Sequence, residues 1–333
     1  MKIFNNFSKI VLSVILVISI FSCSKNDTTD TTSTKSILAM AQNQPNLTTF
    51  VQALQITGLD TTLSSGSFTV FAPTNDAFTS YFSTIQYPGA VYYPNVSAVP
   101  VAILKNLLLN HVLTGSFKGT DLTTNSYFKT NAFGAQSTTN NLNALITNIG
   151  NVIKINNNAT IIVPNLTTDT GVLHIVDKVI GLPRITDLVG ANTNFSTLVS
   201  LLNRPTVIPV QPNFLTVLGG TGPFTLFAPT NDAFTVLNTE LLPGGTSAVT
   251  PANITKVLYY HVVSGNILSN TLTQGQVVTT LLTPAPNTFT VNVTIGVKLF
   301  DLHSPQRAAS VIATDIQANN GVIHILDKVL LPF

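Results

Sequence analysis

Five histidines, one cysteine and 13 carboxylates are the side chains in these 333 residues from which acid–base, nucleophilic or metal chemistry could be built. His111 follows Ile103, Leu104, Leu107 and Leu108, and His261 follows Ile254, Val257 and Leu258, all at helical spacing. A histidine at such a place is expected in the core with its ring bonded to backbone. His174 and His324 lie in alternating, strand-like segments with Asp177 and Asp327 three residues on. That odd separation puts the two side chains on opposite faces of a strand, which rules out a local acid–base pair. A histidine-to-aspartate hydrogen bond across the fold, to Asp76 or Asp232, is open to them as structural support. No His-x-x-x-His occurs, Cys23 is the one cysteine and Glu240 the one glutamate, so neither a metal site nor a cofactor is expected. Gly-x-Ser-x-Gly and Gly-x-x-x-x-Gly-Lys are absent, and Gly219-Gly220-Thr221-Gly222 reads as a turn. No catalytic constellation emerges, and an enzyme is not expected.

The segments that would carry these residues begin after an export signal. Lys2 and Lys9 precede a short apolar run, Ile10 to Phe21, too short to span a bilayer. It ends at Ser22-Cys23, which resembles a bacterial lipoprotein signal: residues 1–22 would be removed and Cys23 acylated, fixing the protein to the cell envelope, at the outer membrane or cell surface. Loss of Lys2 and Lys9 leaves 13 basic and 13 acidic residues, so the exported chain is formally neutral. No Lys/Arg cluster is present to follow a phosphate backbone, which argues against nucleic acid. Residues 23–35 form a polar, low-complexity tether whose 12 residues after the cysteine reach roughly 40 Å when extended.

The remainder is a duplication. Phe68-Thr69-Val70-Phe71-Ala72-Pro73-Thr74-Asn75-Asp76-Ala77-Phe78 returns as Phe224-Thr225-Leu226-Phe227-Ala228-Pro229-Thr230-Asn231-Asp232-Ala233-Phe234. Asn110-His111-Val112 returns as Tyr260-His261-Val262, and Gly171-Val172-Leu173-His174 as Gly321-Val322-Ile323-His324. The first block reads as strand, turn and helix start, with Thr74 or Asn75 as cap and Asp76 favouring the positive helix end. Later stretches, 152–155, 159–163, 289–293, 297–302 and 308–314, read as strands. Each copy is therefore mixed, with helices early and strands late. Without usable cysteines the cores must be held by burial, for which about 150 residues per copy suffice. The linker Leu182-Pro183-Arg184-Ile185 leaves little slack between the copies.

These three blocks, in this order, resemble the fasciclin-type domain, over 36–183 and again over 184–333. The resemblance implies an α+β fold, two tandem wedges of twisted β-sheets packed with several helices, and a role in adhesion and matrix contact without established catalytic residues. It also implies partner binding near the Tyr-His block, here Tyr260 and His261. Tyr87, Tyr92 and Tyr93 sit among Pro and Gly in a copy-one insertion, where their rings would either anchor a protein or glycan partner or fold back onto their own domain. Asp-Thr-Thr at Asp27, Asp30 and Asp60 is a weak threonine-glycosylation signal. The leading expectation is an adhesion or matrix-binding lipoprotein, and the second a glycan-capturing accessory of nutrient uptake. Oligomeric state stays open.

Overall fold

In the computed structural model, which describes residues 36–84, 92–203, 214–241, 250–303 and 307–333, the duplicated sequence is a duplicated α+β fold. The signal segment, Cys23, the tether and Tyr87 lie outside the described residues. Copy one begins with α1 (Ile37–Gln42), α2 (Thr48–Thr57), α3 (Leu59–Thr62), β1 (Phe68–Pro73), α4 (Asn75–Thr84) and α5 (Val101–Leu109). It continues with β2 (Val112–Thr114), β3 (Ser126–Phe133), β4 (Asn141–Ile149), β5 (Val152–Ile155), β6 (Ala159–Thr168) and β7 (Gly171–Val176). Copy two repeats the order with α6 (Ile185–Ala191), α7 (Ser196–Leu202), α8 (Phe214–Leu218), β8 (Phe224–Pro229), α9 (Asn231–Glu240) and α10 (Pro251–Tyr260). Its strands are β9 (Val262–Ser264), β10 (Val277–Thr279), β11 (Thr288–Asn292), β12 (Lys298–Phe300), β13 (Ala308–Ala318) and β14 (Gly321–Leu326).

The repeated strand-turn-helix block folds as its residues dictate. Pro73 ends β1, and the Thr74 hydroxyl caps α4 by accepting from the Ala77 amide at 3.1 Å; Thr230 caps α9 in the same way. The neighbouring asparagine does something else. Asn75 and Asn231 accept from the amides of Thr49 and Thr197, each at 2.9 Å, and so tie this helix to the start of α2 or α7.

In both copies the last strand returns to the first. β1 pairs in parallel with β7 and antiparallel with β2, and β8 pairs likewise with β14 and β9. Copy one closes its seven strands into a barrel, in the order β1 to β7. Its interior is filled by Phe71, Leu113, Ile146, Ile155 and Val176, while Phe50, Leu54, Phe78 and Leu108 pack the helices against the other side of β1 and β7. Copy two orders its strands β10-β11-β12-β13-β14-β8-β9 around one continuous core.

Residues 35–333 form one compact unit. Leu145 on β4 is buried in the core of copy two, and beside it Gln317 on β13 is fully buried. The Gln317 amide donates to Asn143 Oδ1 at 2.8 Å, its Oε1 accepts from Asn140 Nδ2 at 3.2 Å, and its Nε2 donates to the carbonyls of Ala318 and Gly321. The linker is held too. Asn319 N donates to Pro183 O at 2.7 Å, Asn319 Oδ1 accepts from Ala135 N, and Ile185 N donates to Asn320 Oδ1. Buried amides with every partner in place penalise any relative shift of the copies, because an orphaned one costs about 1–3 kcal/mol.

The same contact explains which strands alternate. β4 shows six consecutive buried positions, Leu142 to Thr147, because copy two covers its outer face, and so lacks the half-buried pattern. β5 falls at 152–155 as read, whereas β6 and β13 run on to Thr168 and Ala318 past their bulges and β12 shortens to three residues.

The tightest backbone approach is at Gly171, φ +128°, where a Cβ would stand 1.8 Å from Phe68 O; Gly321 stands 2.0 Å from Phe224 O in the same way. Gly171→Ala must therefore separate β1 from β7 and is expected to destabilise by about 3 kcal/mol or more. Gly150→Ala, at φ +60° in open space, is expected to lose only about 1 kcal/mol. Urea unfolding of the two variants checks this contrast.

Candidate functional site

The four duplicated histidines are buried, and each has both ring nitrogens committed to backbone. His111 sits just beyond α5, where its Nδ1 donates to Leu107 O at 2.8 Å and its Nε2 accepts from Ile180 N at 2.8 Å. His261 repeats this with Val257 O at 2.6 Å and Leu330 N at 2.9 Å. Each of these rings stitches the end of a helix to the segment that follows the last strand. On β7, His174 Nε2 donates to Phe117 O at 3.0 Å while Nδ1 accepts from Asn165 N at 3.3 Å, and Phe71 stacks on the ring with centroids 5.6 Å apart. His324 does the same with Ile267 O, Asp315 N and Phe227.

An amide N–H facing one nitrogen and a carbonyl facing the other admit only the neutral ring. Burial pushes His111 and His261 down to about 4, outweighing the carbonyl bonds from Leu107 and Val257 that favour the proton; at His261 the nearby Arg307 charge lowers it further. Burial also lowers His174 and His324.

The histidine-to-aspartate bond that the sequence left open is not made. Asp76 and Asp232 lie in the first turns of α4 and α9, while the imidazoles are already saturated by backbone. Asp177 and Asp327 instead accept from the amides of Thr160 and Ser310, each at 2.6 Å, closing the ends of the β6–β7 and β13–β14 ladders. Tyr260 and His261 do not form a surface. Both are buried, and the Tyr260 hydroxyl donates to Thr288 O inside copy two. A partner at this block therefore does not contact these two side chains in this conformation. In copy one the same place is filled by Asn110, which donates to the carbonyls of Ile180 and Gly181 and accepts from Thr130. Ile103, placed on the apolar helical face by spacing, is 40% exposed.

The tyrosine loop divides. Tyr93 packs against the copy-one core, whereas Tyr92 is 55% exposed. They border a groove of about 500 Å³ with Phe78 and Phe82 on its apolar side and Thr49, Gln52, Thr79 and Ser83 supplying hydroxyls and an amide. Its α4 and α2 walls are the pair tied together by Asn75.

Copy two carries an ion network that the scattered positions of its members hid from sequence. Arg307, its side chain 9% exposed, binds Glu240 and Asp301, and donates to Val329 O at 2.8 Å. Asp301 Oδ2 also accepts from Leu331 N, which fastens the final segment to the fold; burial pushes this carboxyl up. No group of three or more His, Cys, Asp or Glu able to hold a metal occurs among the described residues. None of their helices is long and apolar enough to cross a membrane.

The chain belongs to the fasciclin domain family, whose model matches residues 45–183 and 193–332. It is 37% identical to Protein sll1483 of Synechocystis sp. over 153 residues, 44% of this chain and 73% of that protein. It is 30% identical to periostin of Homo sapiens over 277 residues, which cover 80% of this chain but only 28% of periostin. Among solved structures, the FAS1 domain pair of the insect cell adhesion molecule fasciclin I matches with a TM-score of 0.50 at 16% identity, covering 85% of this chain and 95% of that one. At that identity the likeness is one of fold.

Neutral buried histidines make stability depend on pH with a definite sign. At His111 and His261 the unfolded chain takes up a proton near pH 6.5 and the folded chain near 4, so the stabilisation is complete above 6.5 and is lost as pH falls toward 4. His111 and His261 should each contribute a loss of about 1.4 kcal/mol per pH unit within that window, or about 3 kcal/mol by its end. Urea midpoints measured from pH 7 to 4.5 should fall, and His111→Gln should flatten the slope by about one proton.

Proposed function

We propose that this chain is a non-enzymatic adhesion or matrix-binding module of a bacterial cell envelope, tethered by lipid on Cys23 and presenting two fasciclin domains as one rigid body. The observation that carries this proposal is the saturation of all four duplicated histidines by backbone. Four of the five histidines, the residues best suited to acid–base chemistry near neutral pH, are spent on holding the strands together. Two similar domains in fixed orientation can engage a polymer or neighbouring cell at two points, and avidity then multiplies weak contacts. Membership in a family that includes the cell adhesion molecule fasciclin I supports the same role.

A second function, glycan capture for nutrient uptake, is favoured by the groove beside Tyr92. An exposed ring next to hydroxyl and amide groups suits a sugar face and its hydroxyls.

Two measurements test these proposals. Metabolic labelling with a tagged fatty acid should mark the full chain, and Cys23→Ala should abolish the label and move the protein out of the membrane fraction; labelling unchanged in that variant would remove the anchor. Beads coated with the full chain should bind bacterial cells or matrix proteins, and Tyr92→Ala should leave that binding intact while weakening saccharide binding at the groove. Failure of clustered protein to bind any cell, matrix protein or glycan contradicts both functions.

A further inference from the structure

A second concavity of the described residues lies away from the tyrosine loop. It is a cleft of about 1160 Å³ between the two copies, floored by the linker from Ile180 to Arg184. Domain junctions are a common place for ligand sites, and this volume is that of a site for several linked small units. Both walls are fixed. On the copy-one side, Asn106 grips the backbone of Phe133 at both its amide and its carbonyl, and on the copy-two side Asn319 is bonded to Ala135 and Pro183.

We propose that this cleft binds a neutral oligosaccharide. The ring of Phe133, 39% exposed, and the side chain of Ile103, 40% exposed, give one wall an apolar platform. The turn between β5 and β6 sets three consecutive asparagines, Asn156, Asn157 and Asn158, along the same cleft, the first two held at positive φ of 52° and 49°. Asn156 has its oxygen engaged by Leu145 N, which leaves its amide hydrogens for a ligand, and Asn157 makes no side-chain hydrogen bond among the described residues. Aromatic and aliphatic faces beside amide donors and acceptors are the chemistry that recognises sugar rings and their hydroxyls.

Charge and backbone argue against an anionic ligand and against strand addition. Of the residues lining the cleft only Arg184 and Asp187 are charged, one of each sign, and Arg184 already donates to Gly219 O at 2.7 Å. A phosphate or an acidic polymer has no cationic cluster to meet there. A peptide adding as a further strand would need a free strand edge, and the copy-one wall belongs to a closed barrel.

One residue keeps the space open. Gly190, inside α6, faces the cleft, and nothing lies within 4 Å of where its Cβ would stand. Copy one carries Gln42 at the matching place, since α1 and α6 both start at an isoleucine whose amide is bound by Thr170 or Asn320. A helix-interior glycine is disfavoured by about 1 kcal/mol against alanine, and here it serves no tight approach; what it leaves is room.

The test is calorimetric titration of the full chain in detergent with neutral hexasaccharides of glucose, mannose, xylose and N-acetylglucosamine. Binding of at least one is expected. Gly190→Trp, which fills open space without backbone strain, and Asn157→Gly, which keeps the positive φ and deletes the amide, should each weaken it at least tenfold. Unchanged thermal midpoints verify that both variants fold, and Asn157→Gly stands alone if Gly190→Trp does not. Tyr92→Ala, whose own effect is confined to the groove, should leave unaltered the component of binding that the two cleft variants weaken, which separates the cleft from the groove and from the adhesive function. Absence of binding to all four sugars, binding indifferent to both cleft variants, or binding lost only in Tyr92→Ala would overturn the proposal.

Discussion

The structure depends on a parallel pairing between strands far apart in sequence, β1 with β7 and β8 with β14. A parallel pair cannot be made by a hairpin, so each copy must bring its last strand back beside its first across the whole intervening chain. Glycine at the start of β7 and β14 admits the close approach. The imidazoles then fasten what the pairing brings together: His174 and His324 bond the crossing loop and the bulge of β6 or β13, and His111 and His261 bond the segments that follow β7 and β14. A ring that donates one backbone hydrogen bond and accepts another gains most when neutral, and burial keeps it so. Such a ring holds structure and has no proton to trade.

With the four duplicated imidazoles committed inward, the differences between copies lie where the fold tolerates them. Asn110 and Tyr260 occupy one position with different chemistry, the first bonding two carbonyls of the post-β7 segment and the second reaching across to β11. Asn165 and Asp315 sit at the same bulge, and each accepts from the loop after β2 or β9, at Gly119 and Ser269. Only copy two needs the Arg307 network, which fastens its terminal segment; the corresponding segment of copy one is the linker, fastened by Asn319 and Asn320 instead.

Much of this was legible in sequence for a physical reason: local motifs report local chemistry. The Pro73-Thr74-Asn75 stop and cap, the buried histidines after α5 and α10 and the alternation around His174 each followed from nearest neighbours. What was hidden depended on contacts across the chain. β4 lacks alternation because copy two covers it, and the buried Gln317 finds its partners in Asn143 on β4 and Asn140 just before it. Tyr260, a candidate binding residue through the family resemblance, is buried, and its hydroxyl is taken by the β11 carbonyl of Thr288. The cleft requires both copies in place, so no single stretch of sequence could announce Gly190 or Asn157 as its walls.

The most direct test is the protonation state of these four imidazoles, read by long-range nitrogen–proton NMR correlation across a pH series. The expected spectrum has His111 and His261 protonated at Nδ1 only and unchanged as pH falls from 7 to 5, and His174 and His324 protonated at Nε2 only at neutral pH, with any titration displaced below the ordinary histidine range by burial. Titration of any of them near pH 6.5 in the folded protein, or the opposite tautomer, would contradict the structural role of the histidines and return them to the list of groups able to do chemistry.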